Sequence, residues 1–462
     1  MTRDILILGD NLTGLATAYR LLHYGFHISI VDTQCRLQPT IHLGTLSEST
    51  EPSSLPPTSV LTESQSIPLI LHGFYHSTWA LLQELSFEWP PQISQSVCLE
   101  FGAEGRKPIA LPKPSRLAWL HPLTRFTFFK GLSWSDRWHA INFLEKQWED
   151  NLLPTPNPDI ESVEAWLVSA KQSEHSRSNF WNPLCRLFLN CDLSQASLSS
   201  FIEALSQYWL GETTDAATFL APPETLGKLE TELRQRLINK GVRFHTSKAR
   251  IHIHTDTEGI QAIEVDNKPF KAQAYISALP PRDLLRLLPE RVLARYAYFT
   301  SLAQIPEVWG LAVRFTLNNI LIPPRLILNL DPFDWIIGQP SKKSDSPKAV
   351  VTCVTLRESI ALKNNEEWLL HTAWTFIQNL FNLSPSHTQD FCEPHIIRQI
   401  GPFFSCHRGC RSHRPISKTP LSNLFLAGPW TATNLPSSLE STIKSANACA
   451  EAVATAFYGT AN

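Results

Sequence analysis

Residues 5–14 read Ile5-Leu6-Ile7-Leu8-Gly9-Asp10-Asn11-Leu12-Thr13-Gly14. Four consecutive apolar residues of strand length stop at a glycine. Beyond the turn, Leu12, Leu15, Ala16, Tyr19 and Leu22 recur at helical spacing, and Gly25 ends the helix. Ile28-Ser29-Ile30-Val31 predicts a second strand closing on Asp32. A βαβ unit of this size is the opening of a doubly wound, Rossmann-like α/β domain. Its first turn approaches a dinucleotide pyrophosphate, and an acidic residue ending the second strand holds a ribose hydroxyl. Gly9 and Gly14 keep the outer positions of the turn, but Asn11 stands where a glycine would let phosphate reach the backbone. Asparagine tolerates unusual dihedrals and its amide can donate to a phosphate. Asp10 opposes an anion. Two readings stay open: a degenerate dinucleotide site, and a βαβ opening that keeps its shape without a ligand.

The chain's 462 residues exceed one ordinary core, which predicts two domains. Apolar residues are 43% and charged residues 18%, which excludes whole-chain disorder. The net charge of −2 offers no global basic field for nucleic acid. Nine cysteines in so long a chain predict reduced thiols. Met1-Thr2-Arg3-Asp4 runs directly into the first strand, unlike a secretory leader, and no apolar run approaches a bilayer span. These features predict a cytoplasmic protein. Glycine is scarce at 18 residues while proline reaches 34. From Pro39 to Pro68, 17 of 30 residues are Ser, Thr or Pro, which reads as an irregular surface insertion.

At the other end, Leu424-Phe425-Leu426-Ala427-Gly428 predicts a buried strand meeting a glycine turn. A helix then follows through Ile443, Ala446, Ala450 and Val453, with Ser437 and Glu440 at capping-box spacing. A strand, a turn and a helix N-terminus together favour an electron-rich group. The segment from Leu424 to Ala450 resembles the carboxyl-terminal flavin motif of the FAD-dependent amine-oxidase-like superfamily. Within it, the hydroxysqualene dehydroxylases (squalene-associated FAD-dependent desaturases) are the nearest match. The segments His72–Leu85, Gly131–Trp138 ("GLSWSDRW"), Phe180–Ser197 ("FWNPLCRLFLNCDLSQAS") and Ala278–Pro289 are similar to motifs of that family in the same order.

The resemblance implies FAD as cofactor, with Gly9, Asn11, Leu12, Gly14, Asp32, Ala249, Gly428 and Leu435 as its contacts. It implies a Rossmann-like FAD/NAD(P)-binding domain from residues 1–70, 216–294 and 396–462. An interleaved α+β substrate domain then comprises 71–215 and 295–395. The implied reaction converts hydroxysqualene to squalene, in hopanoid biosynthesis, by hydride transfer from reduced flavin. The cofactor carries that chemistry, so no catalytic side chain is assigned. Departures fall on the cofactor's contacts: Asn11, Gln38-Pro39-Thr40, Pro68-Leu69, Pro429 and Asn434 replace expected residues. They support the alternative of a flavin-free accessory or polyisoprenoid-binding protein. A related amine oxidase or carotenoid-type desaturase is the other alternative.

Thr225 to Leu237 predicts an amphipathic helix, and residues 251–255 and 259–265 a β-hairpin. Phe180, Trp181, Phe188, Trp209 and Trp309 read either as the lining of a dry polyisoprenoid cavity or as core. Between Gly105 and Ser135, Arg106, Lys107, Lys113, Arg116, Arg125 and Lys130 occur with no acidic residue. Trp119, Phe126, Phe128, Phe129 and Trp134 are interleaved, which suits peripheral contact with the inner face of a membrane or an ordinary basic surface. Cys406, His407, Cys410 and His413 have poor spacing for tetrahedral zinc, so no metal site is assigned. His252 and His254 read as one exposed strand face, and Cys185 and Cys191 as core.

Overall fold

The computed structural model describes residues 3–32, 67–88, 95–103, 106–113, 126–150, 157–210, 214–246, 251–341, 348–357, 365–383 and 394–459. The opening strand β1 (Asp4–Leu8) lies at the centre of a five-stranded parallel sheet. The sheet's other strands are β2 (His27–Asp32), β7 (Arg243–Thr246), β11 (Ala274–Ser277) and β17 (Leu424–Leu426), in the order β17-β11-β1-β2-β7. Residues from the start, middle and end of the sequence thus share one sheet, as a doubly wound α/β domain requires.

Strand periodicity divides the two faces of that sheet. Ile5, Ile7, Ile28, Ile30, Ile276 and Phe425 pack against helices α1 (Leu12–Leu21), α6 (Thr225–Asn239) and α8 (Leu439–Tyr458). Leu6, Leu8, Val31, Tyr275, Leu424 and Leu426 pack on the opposite side against a hairpin layer. That layer is the antiparallel set β8 (Ile251–Thr255), β9 (Ile260–Val265) and β10 (Lys268–Phe270). The hairpin predicted from alternation is present, and His252 and His254 lie on its exposed face.

The second large sheet has the order β16-β12-β15-β14-β13-β4-β5. It comprises β4 (Leu99–Ala103), β5 (Arg106–Ala110), β12 (Glu307–Asn318), β13 (Arg325–Leu330), β14 (Phe333–Ser341), β15 (Lys348–Thr355) and β16 (His395–Phe404). All its pairings are antiparallel except β13 with β4. Helix α7 (Glu366–Phe381) covers one face through Leu369, Ala373 and Ile377. The other face meets an aromatic core that includes α4 (Asn182–Leu189) and α5 (Leu198–Leu205). A two-stranded antiparallel pair, β3 (Leu69–His72) and β6 (Thr218–Ala221), precedes α2 (His76–Glu84) and α6 respectively. Helix α3 (Trp134–Asp150) follows the basic, aromatic stretch. Among the described residues, no helix is long and apolar enough to cross a membrane.

Four of the five aromatic residues offered above as a cavity lining, Phe180, Trp181, Phe188 and Trp209, are core. Phe180, Trp181 and Trp209 are buried, and their rings contact one another and Phe126 at centroid distances of 4.9–6.2 Å. Phe188 packs on His72 and Tyr208, and only Trp309 is partly exposed. Mutual ring packing removes more apolar surface from water than a lined void would, and leaves no dispersion contact unmade.

Candidate functional site: the first and last turns of the parallel sheet

The parallel sheet places the carboxyl end of β1 beside that of β11, and β11 beside β17. Gly9 donates its N–H to Val31 O at 3.0 Å, Ala278 to Leu8 O at 2.8 Å, and Ala427 to Ser277 O at 3.0 Å. The first turn, the exit of β11 and the last turn therefore stand side by side at one edge of the sheet. This is where open α/β sheets bind ligands.

The backbone at the first turn keeps the shape of a dinucleotide cradle. Gly9 has φ of +112°, and a Cβ on Gly14 would lie 2.0 Å from the Gly9 carbonyl oxygen. Asn11, by contrast, is extended at φ −115° and ψ 176°, where any residue is allowed. Its side chain caps α1: Oδ1 accepts from Gly14 N at 3.1 Å and Nδ2 donates to Ala278 O at 2.8 Å.

Two carboxylates occupy the rest of the turn. Leu12 donates its N–H to Glu230 Oε1 of α6 at 3.1 Å. One turn further along α6, Arg234 pairs with Asp10, whose side chain is only 5% exposed and whose Oδ1 is buried without a hydrogen-bond partner. Burial pushes the Glu230 carboxyl up to about 7, with Asp10 adding to the rise and the Leu12 N–H and Arg234 opposing it. Burial raises Asp10 too, against its hydrogen bond and charge attraction to Arg234, and Asp32 adds repulsion. The glycine-dependent backbone of this turn suits a pyrophosphate, and the Leu12 N–H that such a group would use is taken by Glu230.

At the last turn, Gly428 donates to Ser445 Oγ of α8 at 2.9 Å, and a Cβ on it would meet the Trp430 indole at 2.3 Å. Arg414 threads this turn, donating to the carbonyls of Pro429, of Trp430 at 3.3 Å and of Leu435 at 2.5 Å. Leu435 is thus buried, with its carbonyl taken. Asn434 keeps a left-handed backbone at φ 58°, so the expected glycine's conformation survives its replacement. The capping box forms one residue later than predicted, with Ser438 and Ser441. Glu440 is drawn away: its carboxylate accepts from Ser77 N at 2.9 Å, and from Thr78 N and Thr78 Oγ1 at 2.8 Å, capping α2.

Of the predicted contacts, Gly9, Asn11, Leu12 and Gly14 form the first turn, Asp32 ends β2, and Gly428 and Leu435 lie at the last turn. Ala249, the Gln38-Pro39-Thr40 segment and most of the Ser/Thr/Pro stretch lie outside the described residues. Glu230, Arg234 and Arg414 carry no sequence signal, because nothing local marks them as neighbours of the turns, and Glu440 reads from sequence only as a capping-box partner of Ser437. Cys185, Cys191, Cys406 and Cys410 are free and buried in one cluster. The Cys410 thiol and Arg414 hold the Cys406 thiol below its ordinary range, down to about 7, against burial. Among the described residues, no group of three or more His, Cys, Asp or Glu could hold a metal ion. An open depression of about 430 Å³ beside Arg20, His23 and Asn447 lies at the far end of α1 from the turn.

Residues 373–454 match the family of flavin containing amine oxidoreductases. Over that stretch the chain is similar to proteins of the FAD-dependent amine-oxidase-like superfamily. It is 30% identical over 219 residues to hydroxysqualene dehydroxylase of Zymomonas mobilis, spanning 46% of each chain. It is 21% identical over 303 residues to 15-cis-phytoene desaturase of Synechococcus elongatus, covering 62% of this chain and 63% of that one. The match therefore spans about half the length of the first relative and under two thirds of the second. In fold, it is similar to an oxidoreductase from Methanosarcina mazei, with a TM-score of 0.66 at 15% identity over 96% and 98% of the two chains. Cyclohexylamine oxidase from Brevibacterium oxydans gives 0.62 at 13% identity over 98% and 99%.

Proposed function

We propose that this chain is a flavin-dependent oxidoreductase of isoprenoid metabolism that removes the hydroxyl of hydroxysqualene to give squalene. The observation that carries this reading is the alignment of the first and last turns at one sheet edge, in a chain that over 219 residues is 30% identical to a hydroxysqualene dehydroxylase. Bound flavin would supply the hydride. The backbone of Leu12 and Gly14 would hold the pyrophosphate, Asp32 a ribose hydroxyl, and the start of α8 the ring's electron-rich edge. The test is anaerobic consumption of hydroxysqualene by the purified protein with reduced flavin. No turnover by a protein with bound flavin rejects the substrate and leaves a related desaturase or amine oxidase.

One observation favours a second reading. The N–H groups of Leu12 and Gly14 are already bonded, to Glu230 and Asn11. A protein that isolates colourless and takes up no FAD under any condition is a flavin-free polyisoprenoid binder on the same scaffold.

The same reading includes docking on an anionic membrane surface, from which a polyisoprenoid would be drawn. Phe126 and Phe129 are buried, but Phe128 and Trp134 are each 67% exposed and Trp138 is 55% exposed, with Lys130 exposed between them. Amphipathic rings beside a lysine suit the lipid headgroup region. Arg116, Trp119 and Arg125 lie outside the described residues.

A further inference from the structure

We propose that Glu230 is a resident plug of the phosphate turn: its carboxylate holds the helix terminus a dinucleotide would take, and flavin loads only once that carboxylate is displaced or neutralised. This rests on the flavin reading above and concerns how the cofactor enters.

The geometry is specific to an anion. A helix N-terminus presents N–H groups that lack intrahelical partners together with the positive end of the helix dipole, a setting that binds phosphates and carboxylates alike, and at α1 a carboxylate has taken the Leu12 N–H. Glu230 reaches it from a neighbouring helix that is 218 residues away in sequence. Helix α6 presents the pair Glu230 and Arg234 at i and i+4, the first to Leu12 N and the second to Asp10. Arg234 is stacked over Phe244, with its guanidinium carbon 4.9 Å from the ring centroid, so its position is fixed by β7. Asp10 on the turn, Asp32 on β2 and Arg234 on α6 are the charged groups that bear on the plug. With Glu230 and Asp10 both ionised against one arginine, the turn is net negative and repels a diphosphate. Two like charges close together in a partly buried site oppose each other more strongly than they would in water.

Burial holds the Glu230 carboxyl near neutrality, so modest acidification removes its charge. A neutral acid is a weaker acceptor for Leu12 N and no longer repels phosphate. The plug therefore yields to the cofactor at mildly acid pH, and also to any partner or lipid surface that lowers local pH or draws α6 away.

The test uses the full chain stripped of any ligand, titrated into FAD while flavin fluorescence quenching is read at pH 6 and pH 8. ADP serves as a second probe that carries the diphosphate without the flavin ring. Wild type is compared with Glu230→Gln, which keeps shape and removes charge, and Glu230→Ala, which also removes bulk. Circular dichroism confirms that each variant is folded, and the Gln variant alone decides if the Ala variant is not. The expected result is that both variants bind FAD at least about tenfold more tightly than wild type at pH 8. Wild type gains affinity on going to pH 6, and the Gln variant does not. Equal affinity in all three, or a wild type that isolates with a full complement of flavin, overturns the plug and leaves the flavin reading standing. Absence of binding in all three, at both pH values, overturns both.

Discussion

Gly9 and Gly14 are retained at the first turn while the position between them is asparagine, and packing accounts for the difference. A Cβ on Gly14 would sit 2.0 Å from a carbonyl oxygen of the turn itself, so the fold demands glycine there with or without a ligand. Asn11 has an ordinary extended backbone, so glycine there would serve only an approaching phosphate. Gly14→Ala should therefore destabilise the protein by about 2–3 kcal/mol, measured by urea denaturation. Asn11→Gly, which trades one cap for a permissive one, should cost about 1 kcal/mol or less. Equal costs would show that the turn is not what holds Gly14. Glu230 adds a pH dependence of known sign. Its carboxyl is raised from 4.5 to about 7 in the folded chain, so between those values the unfolded chain releases a proton that the folded chain keeps. Its contribution to stability thus falls as pH rises from about 4.5 to about 7 and stays lost above. Glu230→Gln should gain on wild type across that window in denaturation curves taken at successive pH values. A constant difference between the two proteins would contradict it.

Elements were legible where their pattern is local. The run Ile5–Leu8, the alternation around Ile251–Val265 and the helical spacing after Leu12 each specify an element without help from elsewhere. The cap of α8 was not, because Ser437 and Glu440 have the right spacing but Glu440 has a better use on α2. The aromatic middle also divides at this scale. Phe180 is 1% exposed among rings, and Phe180→Ala should cost about 3–5 kcal/mol in a denaturant titration. Trp134 and Trp138 lie one turn apart on α3 with more than half of each side chain in solvent. Replacing both with alanine should leave the melting temperature within a few degrees of wild type. Sedimentation with vesicles containing anionic phospholipid should fall about tenfold or more, and sedimentation with zwitterionic vesicles should be weak throughout. Undiminished binding by the double variant would move the membrane contact elsewhere.

For the molecule as a whole, the α/β architecture could be read from its two ends, because the parallel sheet is built from strands that announce themselves. How those strands and helices meet could not. Glu230 is 218 residues from Leu12, and Glu440 is 362 from Thr78; sequence order carries no information about such distances. Yet one of these carboxylates takes an N–H group of the first turn and the other joins α8 to α2. Glu440 is 4% exposed and accepts three hydrogen bonds from the first turn of α2. Leu81, Leu82 and Leu85 of that segment pack into the same core as Ile5, Leu15 and Ala446. Helix α2, which leads on to the chain's aromatic half, is thereby fastened to the last helix of the parallel sheet. Glu440→Ala leaves Ser77 and Thr78 N–H groups without a buried acceptor and should cost about 2–4 kcal/mol. Because Trp79 of α2 packs against both the aromatic core and the parallel-sheet core, fluorescence from the aromatic middle and circular dichroism from the helices should still lose their signal at one common, lowered urea midpoint. Separate transitions in the variant would mean that Glu440 joins two units that otherwise unfold independently, and an unchanged midpoint would mean that the α2 N-terminus is satisfied by water.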